Sequence, residues 1–242
     1  MLGHIDKIGT EIECGAYRYD EIPGFVLDDD GSINTSNNLV TAEYKSKPTN
    51  NLRLLAKRMY KLYDNIGDIN ETMGLHIHIS LKDQTDYFRL CSVRFWKYLY
   101  AQFRKTSFWS SNIQKYRLLA HDGRGGEYCE NINEPRDIDR TFSGSRYRAI
   151  NFDSMRKFNT VEFRFFKAMT SPNEVMKAVK FLIKNINTYL DVLYNKNGNG
   201  DVLGGTKKFL KKDTNRTTKR LKQVIKENQE IVELGKNRIF GV

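Results

Sequence analysis

Two histidines, His76 and His78, stand two positions apart in the apolar segment GLHIHIS, which spans residues 74–80. Side chains alternate between the two faces of a β-strand, so both imidazoles share one face and lie about 7 Å apart. The opposite face carries only leucine and isoleucine, which suits a hydrophobic core. Because a core strand has no use for two imidazoles, the histidine face is predicted to belong to a functional site.

Three other segments with strand-like alternation have the same construction, with one apolar face and one charged face. Their charged residues are Glu11 and Glu13 in GTEIEC, Glu43 and Lys45 in VTAEYK, and Glu162 and Arg164 in NTVEFRFF. A solvated face of an antiparallel sheet explains any one of these strands alone. Lysine is the commonest basic residue of the chain, yet Lys45 is the only lysine in this set. The combination therefore favours one shared site.

The acidic pairs indicate the chemistry of that site. Two carboxylates about 7 Å apart repel each other by roughly 2 kcal/mol at an effective dielectric constant of about 20, and a divalent cation between them reverses the sign. Carboxylates together with a neutral imidazole are acceptable ligands for Mg²⁺ or Mn²⁺. The planar guanidinium of Arg164 suits a phosphate or carboxylate group. Metal-assisted phosphoryl or acyl-phosphate chemistry is expected, and the HExxH zinc motif is absent from the sequence.

Two further segments carry polar residues with two open interpretations. In SRYRAIN, Arg146 and Arg148 fall on one strand face, either as an anion-binding pair or as a surface pair. In DDDGSI, Asp30 and Ser32 belong to a turn that either faces the site or is simply solvated.

The spacing of apolar residues, together with turn and capping residues, predicts the secondary-structure elements that position these side chains. Besides the four strands, the sequence predicts a further strand, three helices and a long loop: a strand at 145–153, helices at 51–67, 85–108 and 171–194, and a polar loop at 121–140. The third helix has the clearest start, since Ser171 at the cap and Glu174 three residues later form a capping box around Pro172.

Composition bounds the class of protein. The chain has 242 residues, and its 40 Lys and Arg exceed its 29 Asp and Glu, which favours anionic partners such as nucleotide phosphates or nucleic acid. Three scattered cysteines form no CxxC pair, the first residues contain no apolar signal-peptide core, and no window reaches about 18 consecutive apolar residues. A cytoplasmic protein without a membrane partner is expected, and an oligomer is compatible with the sequence.

The order of these motifs resembles that of a known family. ExE on a first strand, D-G-S, E-x-K-S-x-P, G-x-H-x-H-x-S, R-x-R-x-x-N and T-x-E-F-R follow one another as in the glutamine synthetase-like carboxylate–amine ligases, most closely their short amidoligase branch. The best local matches are GTEIE, GLHIHIS and NTVEFR, whereas residues 84–140 and those after about 195 contain no matching motif.

The resemblance implies an α+β fold, with a curved antiparallel sheet backed by helices. It implies a glutamine synthetase-like catalytic domain at 1–200, and the lysine- and arginine-rich sequence that follows predicts a basic helical extension at 201–242. It also implies an ATP-dependent ligase that joins a small-molecule or peptide carboxylate to an amine through an acyl phosphate, with Mg²⁺ or Mn²⁺. An amino acid, peptide or polyamine suits the amine better than ammonia.

The resemblance also assigns roles to residues. The implied metal ligands are Glu11, Glu13, Glu43, His76 and Glu162. The implied catalytic residues are Arg164, Arg148 and His76, and the implied ATP-binding residues are Arg146, Arg148, Arg164 and Asn151. His78 either contacts substrate or supports a metal ligand by a hydrogen bond.

Two other functions compete with the ligase. Glu43-Tyr44-Lys45 is an ExK segment like that of metal-dependent nucleases, although that function leaves the histidine strand and the EFR strand unused. The basic segments KKFLKK and RTTKRLK instead suit a non-catalytic protein that binds nucleic acid through its C-terminal extension. A solvated helix packed on the domain is the preferred interpretation of that extension.

Overall fold

The computed structural model describes residues 2–196, except positions 30, 32, 37, 120–124, 127–128, 134 and 143–146. Arg146, Asp30, Ser32 and the basic extension predicted at 201–242 lie outside the described residues. The strands are β1 Ile5–Ala16, β2 Phe25–Asp28, β3 Val40–Ser46, β4 Ile66–Asp68, β5 Gly74–Leu81, β6 Gly125–Gly126, β7 Cys129–Glu130, β8 Ile150–Asn151 and β9 Val161–Lys167. The helices are α1 Leu52–Tyr63, α2 Gln84–Leu90, α3 Val93–Phe103, α4 Asn112–Leu119, α5 Pro135–Phe142, α6 Ser154–Phe158 and α7 Pro172–Lys196, with a 3₁₀ turn at Ser107–Ser110.

One open antiparallel sheet organises the fold. Its strand order is β2-β3-β1-β5-β9-β8, and β4 also pairs with the end of β1. Strands β6 and β7 form a separate two-stranded ladder. The mixture of helices with an antiparallel sheet confirms the predicted α+β class. The strands that carry the charged pairs, β3, β1, β5 and β9, are therefore direct neighbours.

Helices cover the apolar face of this sheet. Phe95 of α3 packs edge-on against Phe163 of β9, with ring centroids 6.4 Å apart, and it also contacts Tyr189 of α7. Helix α1 is amphipathic as predicted and buries Leu55, Met59 and Leu62. It ends before residue 66, which lies in β4 and not in the predicted helix. Burial on one face leaves the charged face for a site.

A bulge in β9 changes the expected alternation. Simple alternation puts Phe166 on the face of Glu162 and Arg164, but the pairing register shifts between the Leu75 and Ile77 partners on β5. Phe166 is consequently buried, and its ring stacks on Phe165 with centroids 4.3 Å apart. The extra residue turns a large apolar side chain from the polar face into the core.

Two predicted segments have a different structure. The single helix expected at 85–108 is wrong, because it is interrupted between α2 and α3. Ser92 begins α3 by accepting a hydrogen bond from the backbone N–H of Phe95, and Cys91 has a non-helical backbone. The loop expected at 121–140 is wrong for its described residues, which include β6, β7 and most of α5.

The predicted start of α7 is confirmed. The Ser171 hydroxyl accepts a hydrogen bond from the backbone N–H of Glu174. The Glu174 carboxylate reaches back one residue further than in the usual capping box and accepts from the N–H and hydroxyl of Thr170. Within the described part of the chain, no helix combines the length and apolarity that crossing a membrane requires.

Candidate metal and anion site

A cleft of about 810 Å³ lies over the polar face of the sheet. The residues that line it come from six strands, from α6 and from the connecting segments. They include Glu11, Glu13, Asp28, Asp29, Glu43, Lys45, Thr72, His76, His78, Tyr147, Asn151, Asp153, Lys157, Phe158, Thr160, Glu162 and Arg164. The cleft therefore collects the charged face predicted for each of the four motif strands.

His76 occupies the centre of this group. Its Nδ1 atom lies 3.2 Å from Oε2 of Glu11 and 3.6 Å from Oε1 of Glu162, and its Nε2 atom lies 3.4 Å from Oε1 of Glu13. The ring is almost completely buried. Because β5 pairs with β1 on one side and β9 on the other, one imidazole faces carboxylates from both neighbours.

His78 extends the same row toward α6. Its Nε2 atom lies 2.9 Å from Oε1 of Glu11, and its Nδ1 atom lies 3.1 Å from the hydroxyl of Thr160. Burial alone would lower the pKa of His78, but the hydrogen bond and charge of Glu11, with the charge of Glu162, raise it above its ordinary value. The two carboxylates thus favour a protonated ring.

Glu162 is held from two sides. The amide Nδ2 of Asn151 donates to one of its oxygens at 2.7 Å, and the guanidinium of Arg164 donates to the other. Burial would raise the pKa of Glu162, but Arg164 and the two histidines lower it below its ordinary value. The Nη1 atom of Arg164 also lies 3.4 Å from the Nδ1 atom of His76. An ionised carboxylate and a fixed guanidinium therefore stand side by side in the cleft.

The opposite wall of the cleft is formed by β2 and β3. The Nζ atom of Lys45 lies 2.6 Å from Oε2 of Glu43 and 2.8 Å from Oδ2 of Asp28. Burial and repulsion by Glu11 raise the pKa of Glu43, and Lys45 opposes this shift only in part. Burial would also raise the pKa of Glu11, but His76 and His78 lower it strongly. Burial and the charge of Glu11 together make the Glu43 carboxylate easier to protonate than an ordinary one.

Two groups of three side chains in the cleft offer ligand atoms for a cation. The atoms of Glu11, Glu43 and His76 lie within 4.8 Å of one another, and so do those of Glu11, His78 and Glu162. Glu11 belongs to both groups. Carboxylate oxygens with one imidazole nitrogen match the donor preferences of Mg²⁺ and Mn²⁺, so the residues present fit a divalent cation.

The structure brings together most of the predicted site residues. Those found together in the cleft are Glu11, Glu13, Glu43, His76, Glu162, Arg164 and Asn151. Arg148 is not among the described residues that line it. Its Nη1 atom instead lies 2.7 Å from the partly exposed carboxylate of Glu130 and 3.5 Å from the buried carboxylate of Asp137.

Strand alternation explains the placement of Arg148. Asn151 pairs with Glu162 on the cleft face, whereas Ile150 pairs with Phe163 on the core face. Arg148 is two residues before Ile150 and so shares its side of the chain. Arg146, its predicted companion, lies outside the described residues.

Several cleft residues were not singled out from the sequence. Asp28 reaches the site because β2 pairs with β3 so that Asp28 stands opposite Glu43. Thr160, just before β9, contacts His78, and Lys157 and Phe158 come from the short helix α6. Only the position of Thr160, two residues before Glu162 on the same face, carried a signal in the sequence.

Comparison of the chain with models of known protein families and with curated proteins finds no match.

Proposed function

We propose that this protein is an ATP-dependent carboxylate–amine ligase, which forms an amide or peptide-type bond through an acyl phosphate. The observation that carries the proposal is the convergence of Glu11, His76, Glu162 and Arg164, from three adjacent strands, in one cleft. Such a ligase must neutralise a triphosphate and stabilise charge that develops on the transferred phosphoryl group. Carboxylates that hold divalent cations, together with a fixed arginine, supply both functions.

The arrangement of the strands supports a glutamine synthetase-like fold in this proposal. The motif strands follow the family order along the chain, and β3, β1, β5, β9 and β8 are neighbours in the sheet. Motifs that are short and far apart in the sequence therefore contribute residues to the same cleft. We include the catalytic domain predicted at 1–200 and the carboxylate and amine substrates in the same proposal.

The residues of the cleft divide the work of this reaction. Glu11, Glu43, His76 and Glu162, with Glu13 beside them, would hold Mg²⁺ or Mn²⁺, which supplies charge neutralisation for the phosphates of ATP. Arg164 presents a planar guanidinium whose orientation is fixed by Glu162. Asn151 fixes Glu162 in turn, so that neither side chain has to reorganise when charge develops.

A nuclease is the second candidate, and one observation favours it. Lys45 lies in the cleft with Glu43 and Asp28, as an ExK site requires. The ligase uses the histidine pair, Glu162 and Arg164, which the nuclease leaves without a role. The two functions also differ in substrate, because only the ligase consumes ATP.

The test is ATP turnover measured with Mg²⁺ against a panel of carboxylate and amine substrates. The ligase predicts ADP release that depends on both the acid and the amine and that falls at least 100-fold in Glu11→Gln, since removing one charge-stabilising group costs about 2.7–4 kcal/mol in the barrier. Cleavage of DNA with Mg²⁺ and without ATP would favour the nuclease. A wild-type protein that binds no MgATP would refute the ligase.

A further inference from the structure

The cleft has an exposed aromatic ring for which the proposed chemistry has no role. Phe158 is 64% exposed, although it is a large apolar side chain. Most residues that line the cleft are polar, and only Pro48 joins Phe158 among the described ones with a wholly apolar side chain. A ring left open to water inside a charged cleft is suited to a ligand that has a flat apolar surface.

The position of this ring is fixed by α6. The Ser154 hydroxyl at the start of the helix donates to the carbonyl oxygen of Thr160 at 2.6 Å and lies 3.1 Å from the carbonyl oxygen of Asn151. The helix ends at Phe158, and the next residue, Asn159, has a left-handed backbone and donates its N–H to the carbonyl oxygen of Met155. The contacts of Ser154 therefore tie the start of α6 to Asn151 on β8 and to Thr160, the residue before β9.

The ring stands beside the acidic cluster. Its centroid lies 6.1 Å from that of His78, with the two planes at 89°. His78 in turn contacts Glu11, which belongs to both candidate cation groups. The two rings meet at a right angle, and the imidazole leaves most of the Phe158 side chain exposed for stacking. Lys157, the preceding residue, also lines the cleft and offers an ammonium group to an anion.

We propose that Phe158 and Lys157 form the nucleotide subsite of the cleft, in which the base of ATP stacks on the Phe158 ring and Lys157 contacts the phosphate chain. This inference rests on the proposed ligase function. A nucleotide joins a flat base to an anionic chain, and consecutive residues here join a flat ring to a cation. Stacking on an aromatic ring tolerates different bases, so the subsite is expected to bind GTP through the same ring.

The test compares MgATP with magnesium tripolyphosphate, which has the phosphates but lacks the base. Affinities are measured by calorimetry for wild type, Phe158→Ala, Phe158→Tyr and the control Leu54→Ala, which removes a partly exposed apolar side chain from α1. We expect Phe158→Ala to weaken MgATP binding about tenfold and to leave tripolyphosphate binding unchanged. Phe158→Tyr and Leu54→Ala are expected to bind both ligands as wild type does.

A second variant tests the cation. Lys157→Ala is expected to weaken both ligands to a similar extent, with a loss that shrinks as salt increases. Unchanged MgATP binding in Phe158→Ala, or equal weakening of MgATP and tripolyphosphate, would overturn the subsite while leaving the ligase intact. Absence of MgATP binding to wild type would instead refute the ligase and the subsite together.

Discussion

Glu13 and Glu43 lie directly opposite each other on the neighbouring antiparallel strands β1 and β3. Like charges at such a position destabilise a sheet, because the side chains of a cross-strand pair are close together. Lys45 compensates Glu43 from one side, but it is shared with Asp28. A fold that keeps this arrangement gives up stability in the metal-free state, which is expected where a site must attract a cation.

Glu43→Gln is therefore expected to stabilise the metal-free protein by about 0.5–1 kcal/mol near neutral pH. The pKa of Glu43 is raised above its ordinary value of 4.5, so ionisation of this carboxyl above that pH lowers the stability of the folded state. The gain should disappear as the pH falls below this value, where Glu43 is protonated in both states. Denaturant unfolding in EDTA, near neutral pH and below pH 4.5, measures the effect; no gain in stability near neutral pH, or an equal gain at both values, would contradict it.

Glu43→Gln is also expected to reduce the stabilisation of the folded protein by Mg²⁺. A cation that binds only the folded state raises the melting temperature, and loss of one carboxylate ligand lowers that increase. Melting curves of wild type and Glu43→Gln with and without Mg²⁺ provide the comparison. Glu71→Gln, which alters an exposed residue outside the cleft lining, should respond to Mg²⁺ as wild type does.

His78 makes the stability of the metal-free protein depend on pH for another reason: here the protonated form of the side chain is the stabilising one. Its pKa is raised above the ordinary 6.5, so the proton adds stability that is fully present below that pH. This contribution is lost as pH rises through the pKa of the folded state. Between about pH 5.5 and about pH 8.5, wild type should lose more stability than His78→Gln in EDTA. Parallel curves for the two proteins would show that Glu11 does not favour the protonated ring.

Asn151 is expected to act by holding Glu162. Its amide donates to Glu162 in a buried position, and Asn151→Ala leaves that oxygen without this donor at a cost of about 1–3 kcal/mol in stability. Metal affinity should fall about 10–100-fold, because a partner that orients a ligand is lost. Wild-type affinity in Asn151→Ala would remove this positioning role.

Lys45 separates the two candidate functions. The ligase does not require a lysine on β3, so Lys45→Met should retain ATP turnover with acid and amine. The variant should also bind Mg²⁺ more tightly, since it removes a cation that lies 2.6 Å from Glu43. Complete loss of ATP turnover would contradict this account. Loss of DNA cleavage by the same variant would support the nuclease.

Strand alternation was sufficient to predict which residues share the polar face. Glu11, Glu13, His76 and Glu162 were assigned from local spacing, and the cleft contains all four. The cross-strand partners of these residues could not be predicted from the sequence. The pairing of distant strands places Glu13 opposite Glu43 and His78 opposite Glu162. Local periodicity carries no information about such long-range register.

The differences between the sequence pattern and the structure have equally local causes. Alternation within RYRAIN separates Arg148 from Asn151, which lies an odd number of residues away, so the two cannot share a face. The bulge that buries Phe166 adds one residue to β9 and leaves no pattern in the sequence. Helix α6 has five residues, too few for a recognisable apolar period, and Phe158 was missed for that reason.

Direct titration with Mn²⁺ tests the central claim, that the strand carboxylates and His76 hold a divalent cation. Electron paramagnetic resonance measures the free ion in the presence of wild type, Glu11→Gln and Glu21→Gln, the last of which alters an exposed acid outside the cleft lining. We predict that wild type and Glu21→Gln bind Mn²⁺ alike, and that Glu11→Gln binds at least about tenfold more weakly, since Glu11 belongs to both candidate cation groups. Equal binding by wild type and Glu11→Gln, or no binding by wild type at millimolar Mn²⁺, would contradict the account.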